Sequence, residues 1–203
     1  MKAVMLEVPE YILDERRKWG ADRWDELWEG VLHMVPSPTI EHQELEGALE
    51  TWLRLHWEKA SGGKVYHQVA VALPGTVWTE NYRLPDLVLL APAQLHIVRR
   101  THLEGAPTVA IEIRSPGDES YEKFPFYAQV GVSEVWIIDR DTKARQLFVL
   151  AGGEYQEQKP TADQWCHSHA TGIELRATAS CKVAIRLAAD PSSAAEVPDA
   201  TPR

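Results

Sequence analysis

The sequence predicts an α/β fold in which helices flank a mixed β-sheet. Two observations carry this. Segments with helical and strand periodicity alternate along the chain, in the order helix, strand, helix, several strands, helix, strand, which suits a layered α/β architecture. Three short apolar runs, residues 84–90, 109–114 and 134–139, are rich in Val, Ile and Leu and read as buried strands.

Residues 9–19 read as a short helix, with Pro9 tolerable in its first turn. Residues 28–35 alternate enough for a strand anchored by Trp28, Val31 or Leu32, and Met34, and Pro36 and Pro38 end it. Thr39 can then cap a long helix to about residue 60, with Leu45, Leu49, Trp52 and His56 on one stripe and His42 on the same stripe. Ser61-Gly62-Gly63 stops it. Residues 64–73 and 83–91 read as strands separated by the Pro74-Gly75 turn, the second carrying Asp86. Residues 109–114 form a central strand with Glu112 on it. Asp118 can cap a helix to about Val130, which Pro125, near its interior, should kink or shorten. Residues 134–139 and 144–150 read as strands joined by a polar turn, and 173–187 as two short edge strands. Residues 1–187 are expected to form one domain, and 188–203, rich in Ala, Pro, Ser and Asp, a disordered tail.

Composition narrows the function classes. No apolar stretch approaches the ~20 residues of a membrane span. The first ten residues lack the longer apolar core of a secretory signal, so a cytoplasmic location is expected. Two cysteines make no disulfide framework, and Cys166-His167-Ser168-His169 reads as a polar loop with one small buried thiol rather than a zinc site. Five of the eight tryptophans (Trp19, Trp24, Trp28, Trp52 and Trp57) crowd the first sixty residues, as a core or a subunit interface would require. The net charge of −9 argues against strong, non-specific DNA binding by a monomer, while leaving room for a local basic patch.

The chemistry lies in the acids of the apolar runs. Glu112 stands inside a run that should be buried, and an ionised carboxylate there costs several kcal/mol unless a cation compensates it. Asp86 repeats the pattern at the mouth of another apolar strand, and Lys123 follows close behind Glu112. Two acids on two core strands with a nearby lysine suggest a divalent-metal phosphodiesterase site. A hard ion such as Mg²⁺ takes oxygen ligands and keeps several waters, so Asp86 and Glu112 can suffice if their strands are adjacent, with the Ile113 carbonyl as a natural third ligand. Taken singly, Asp86 also fits a turn residue after Pro85, Glu112 a buried ion pair, and Lys123 a solvated helix lysine. His42 fits a hydrogen-bonded residue at the edge of the core, or a group pointing toward the open end of the sheet. Tyr127, one turn after Lys123, reads as a packing residue.

The ordered set Pro85-Asp86, Glu112-Ile113-Arg114-Ser115-Pro116, Lys123, Tyr127, Gly131-Val132 and Trp136-Ile137-Ile138-Asp139 resembles the Uma2 family. So do Asp25-Glu26-Leu27-Trp28-Glu29-Gly30, Pro36-Ser37-Pro38 and Glu41-His42-Gln43 upstream. The resemblance runs over residues 19–150 and places the chain among the PD-(D/E)xK restriction-endonuclease-like nucleases. It implies a restriction-endonuclease-like core, a Mg²⁺- or Mn²⁺-dependent endonuclease acting on nucleic acid, DNA ahead of RNA, and a homodimer. It also implies Asp86 and Glu112 as metal ligands and Lys123 as the group assisting the nucleophile. The usual motif has its lysine two residues after the acid; here that residue is Arg114, which stays charged and suits phosphate contact rather than base chemistry. Glu26 matches an acid of similar sequences and is expected either to support a second metal or bridging water, or to be a surface helix acid. The rival function is a non-catalytic interaction protein that retains the nuclease fold, which the acidic charge and Arg114 favour. Another is hydrolysis of some other phosphate ester.

Overall fold

A computed structural model describes residues 8–198. The chain opens with α1 (Glu10–Trp19), then a hairpin of β1 (Glu26–Trp28) and β2 (Val31–His33). The long helix α2 (Ile40–Trp52) continues through a π-helical segment, Leu53–Glu58, into α3 (Lys59–Ser61). There follow β3 (Lys64–His67), β4 (Ala70–Ala72), β5 (Tyr82–Arg83), β6 (Leu87–Leu90), β7 (His102–Glu104) and β8 (Val109–Arg114). Helix α4 (Phe124–Val130) leads into β9 (Glu134–Asp139), β10 (Arg145–Ala151) and β11 (Glu154–Glu157). The chain finishes with β12 (Cys166–His167), β13 (Ile173–Ala177), β14 (Val183–Leu187) and β15 (Asp190–Val197).

The central sheet has the order β11-β10-β9-β8-β6-β3. It is mixed: β8 and β9 run parallel, with α4 in the connection between them, and the other neighbours pair antiparallel. A second sheet, β2-β1-β5-β4-β7, carries the hairpin, and an antiparallel sheet, β12-β13-β14-β15, closes the chain.

Strand alternation sorts the core into two layers. Val109, Ile111 and Ile113 of β8 and Leu87 and Leu89 of β6 face Leu45, Leu49 and Trp52 of α2 and the apolar face of the last sheet. Ala110 of β8 and Val88 and Leu90 of β6 face Phe126 and Tyr127 of α4. Each fully buried Leu or Ile contributes roughly 1.5–3 kcal/mol relative to exposure, so these layers hold the sheet rigidly. By the same alternation Glu112 falls on the α4 side, while Asp86, just before β6, meets His42 of α2.

Thr39 caps α2 by accepting the His42 amide at 3.4 Å. Gly63 is required where the chain leaves α3: a Cβ there would lie 2.5 Å from the Leu90 carbonyl oxygen and 2.7 Å from the Trp57 ring.

Several expectations are corrected. Residues 28–35 are not one strand: Glu29 and Gly30, at φ 48° and 83°, turn the chain back into the β1–β2 hairpin. Residues 64–73 break at Gln68, φ 45°, so β3 and β4 join different sheets. Residues 83–91 likewise divide into β5 and β6 around Leu84-Pro85-Asp86, because proline interrupts a ladder. Asp118 caps a turn instead of a helix, accepting the amides of Ser115 and Ser120, and Pro125 sits in the first turn of α4, where its missing N–H costs nothing. Strands β13 and β14 are inner strands, not edges. The expected tail is ordered over Asp190–Val197 as β15, pinned by the Trp52 indole donating to the Ser193 carbonyl at 2.8 Å and by buried Val197. The last five residues of that expectation lie outside the described residues.

Candidate active site

The ladder between β6 and β8 ends at the Leu87–Ile111 pair, while β8 stays paired with β9 to Arg114 and Asp139. The two strands therefore part at this end, and the Asp86 side chain fills the gap by accepting the Ile113 amide at 2.6 Å. Here a cleft of about 820 Å³ opens, with Asp86, Glu112, Lys123, Glu26 and His42 among its lining residues.

At its floor Lys123 Nζ lies 2.9 Å from Glu112 Oε2 and 2.8 Å from Glu26 Oε1. The Tyr127 hydroxyl donates to Glu112 Oε1 at 2.5 Å. Tyr127 is thus a member of the site as well as a packing residue. Glu26 accepts three bonds, from Lys123, the Leu84 amide at 2.8 Å and the Trp28 indole at 2.6 Å. It is a buried residue at the start of β1, not a surface helix acid. Its Oε1 is shared by Lys123 and the Leu84 amide, and its Oε2 takes the Trp28 indole N–H.

His42 stands on the first turn of α2 with Nε2 3.3 Å from Asp86 Oδ1. Its Nδ1 is buried without a hydrogen-bond partner, 3.7 Å from Glu46 Oε2. The sequence reading passed over Glu46, yet the i, i+4 spacing from His42 on the same helix was its signal. Ligand atoms of His42, Glu46 and Asp86 all lie within 4.8 Å of one another. Among the described residues this is the one group of three or more His, Cys, Asp or Glu side chains with metal-binding spacing, so the Cys166-His169 segment forms none.

Burial raises the Glu112 carboxyl from its ordinary 4.5 to about 8; Lys123 opposes the rise, and the charges of Asp86 and Glu26 add to it. Burial lowers the affinity of Lys123 for its proton, but Glu112 and Glu26 outweigh that and hold the ammonium firmly protonated. Burial and the Asp86 charge lift Glu46 to about 7. Burial works against the His42 imidazolium, and the hydrogen bond to Asp86 prevails and raises it. Two acids, Glu112 and Glu26, thus share one ammonium, and the Asp86 carboxylate pairs with the His42 imidazole.

Arg114 is not brought into this group. It lies 3.6 Å from Asp139, its guanidinium over the Tyr121 ring, outside the cleft lining. The cleft's other arginine is Arg140, in the turn after β9, held by Asp141 at 2.8 and 3.0 Å.

Among the described residues no helix is long and apolar enough to cross a membrane. No curated protein matches the chain. A crystal structure from Anabaena variabilis ATCC 29413, described as a "putative nuclease belonging to DUF820", superposes with a TM-score of 0.54 at 16% identity, over 68% of this chain and 78% of that one. At that identity it shows a shared fold, the restriction-endonuclease-like α/β core that the sheet and its flanking helices build here. The model of the Uma2 family, described as "Putative restriction endonuclease", matches residues 20–199, and the chain belongs to that family.

Proposed function

We propose that this protein is a metal-dependent endonuclease that hydrolyses phosphodiester bonds in nucleic acid, DNA ahead of RNA. The observation that carries the reading is the packing of acids at the cleft floor: Glu112 and Glu26 share a single ammonium, Asp86 lies against His42, and the His42 Nδ1 lacks a partner. A buried excess of oxygen donors suits a hard divalent cation. Asp86 and Glu112 would hold Mg²⁺ or Mn²⁺, and His42 and Glu46 provide a second set of donors that share Asp86. A bound ion would neutralise phosphate charge and lower the pKa of its water.

The chain's own groups supply the rest. Tyr127 and Lys123 fix both oxygens of Glu112, so its orientation is set before any ligand arrives. Lys123 has three N–H donors, and two are committed to Glu112 and Glu26. We assign the third to the attacking water or a phosphate oxygen, where a fixed positive charge stabilises the transition state. Arg140, not Arg114, is the guanidinium we assign to a flanking phosphate. Unpaired Cys166 and Cys181 fit a cytoplasmic enzyme. Tyr11 and Trp19 on α1, 67% and 76% exposed, offer apolar surface for a homodimer.

The test is calorimetric titration of Mg²⁺ and Mn²⁺ into wild type and Glu112→Gln, with nucleic acid incubated alongside. Saturable binding and cleavage in wild type, both lost in the variant with cleavage down at least a hundredfold, are expected. Absence of binding in wild type would sink the reading, and the fold-retaining interaction protein, favoured by the net charge of −9, would replace it.

A further inference from the structure

The cleft has two walls of unlike chemistry. One is the β1–β2 hairpin and the segments on either side of it, which present Trp24, Trp28, Val31, Met34, Val35 and Pro36. The other is the loop after β8, residues 115–120. The walls touch: His33 Nδ1 on β2 meets Glu119 Oε2 at 2.6 Å across 86 positions of sequence. Behind them Glu112 is 4% exposed and Glu26 1%. The cleft between hairpin and loop leads to these acids.

The cationic lining is sparse. Lys123 and Arg140 are the only lysine or arginine on the cleft among the described residues. The first is committed to Glu112 and Glu26, and the second is held by Asp141. Duplex DNA, with one charge per ~1.7 Å of axis, is bound chiefly through many lysine and arginine contacts to phosphates. Single strands carry lower charge density and are bound through bases stacked on aromatic or guanidinium planes. The hairpin wall suits the second mode. Trp28 is enclosed, with the His33 ring centre 3.9 Å from its own and the Arg83 guanidinium 4.3 Å from it, so the stacking surface is Trp24, which the Arg23 guanidinium backs at 3.9 Å and whose indole N–H is anchored on Gln68 Oε1 at 3.3 Å. A cleft of about 820 Å³ also falls within the ~300–1,000 Å³ that encloses a small ligand, which accommodates a nucleotide or dinucleotide.

We infer that the site takes single-stranded nucleic acid, threaded between the hairpin and the loop with a base against the tryptophan wall, in preference to duplex. This rests on the nuclease reading above.

The experiment is fluorescence anisotropy of a labelled 20-mer as single-stranded DNA, as single-stranded RNA and as annealed duplex DNA, with Ca²⁺ replacing Mg²⁺ to suppress turnover. Either single strand should bind at least tenfold more tightly than the duplex, and the ratio between the two names the preferred sugar. Trp24→Ala should weaken single-strand binding about tenfold or more, with Trp24→Phe restoring most of it; near-ultraviolet circular dichroism reports whether each variant is folded. Equal or tighter binding of duplex overturns the inference, as does binding of neither, or a folded Trp24→Ala protein with unchanged affinity. The calorimetric metal titration is read separately. Metal bound at Glu112 with duplex cut as fast as single strand removes this inference and leaves the nuclease reading standing. No metal binding removes the nuclease reading itself.

Discussion

Two glutamates sit on neighbouring parallel strands, both nearly inaccessible, and they do opposite things. Glu134, at the start of β9, is 2% exposed and takes the Trp136 indole N–H at 3.0 Å and the Ala170 amide at 2.9 Å. Its donors are neutral and point at each oxygen, so the carboxylate staples the loop before β13 to the central sheet. Glu112, on β8, is as deeply buried, but its partners are an ammonium that it shares with Glu26 and a tyrosine hydroxyl, with the Asp86 charge acting on it as well. Burial alone therefore does not mark a functional acid. What separates them is the kind of partner: Glu134 is satisfied by dipoles, whereas Glu112 competes with Glu26 for a single ammonium.

Lys123→Met should sharpen the contrast most. Removing the only ammonium leaves Glu112 and Glu26 facing each other across an apolar side chain, a loss of about 3–5 kcal/mol if both remain charged. Urea unfolding at pH 8 checks it, and added Mn²⁺ should recover part of the loss by replacing the missing charge. A variant as stable as wild type would mean that the acids take up protons instead, and the shared ammonium would carry no stabilising role.

Glu134→Gln should cost about 1–3 kcal/mol, because an amide can still accept one of the two bonds while its NH₂ meets a donor. Cleavage measured under saturating metal should stay within about twofold of wild type. A hundredfold loss of cleavage would erase the distinction between the two acids.

A further effect is in pH. Glu112 and Glu46 have folded values of about 8 and about 7, above the ordinary 4.5. The folded protein thus holds protons that the unfolded chain has released, and stability should fall as pH rises from about 5 to 8. Glu46→Gln should flatten the part of that slope below pH 7, as read from melting temperatures across the range in metal-free buffer. A slope identical to wild type would show that Glu46 does not titrate there.

Much of this was legible in the sequence. Asp86 and Glu112 interrupt apolar runs, and strand alternation sends Glu112 to the side where Lys123 and Tyr127 lie; period-two geometry is local, so a sequence reader can use it. Thr39, the α2 stripe and strands β8 and β9 were legible for the same reason. Glu46 escaped because helix position alone does not say which neighbour faces a site and which faces solvent. Arg114 misled because it follows Glu112 by two residues, yet in the fold its guanidinium finds Asp139 and Tyr121 outside the cleft.

The sequence by itself determined the α/β class, the two acids on their strands and the lysine behind them, since each depends on periodicity and on the cost of burying charge. The tertiary structure alone decided that Glu26 arrives from the hairpin to share Lys123, that His42 and Glu46 come to Asp86, and that hairpin and loop meet over the floor at His33 and Glu119. Those contacts join residues from separate elements, up to 86 positions apart. No local preference encodes them; they follow from where the two sheets and α2 pack, which only the assembled core specifies.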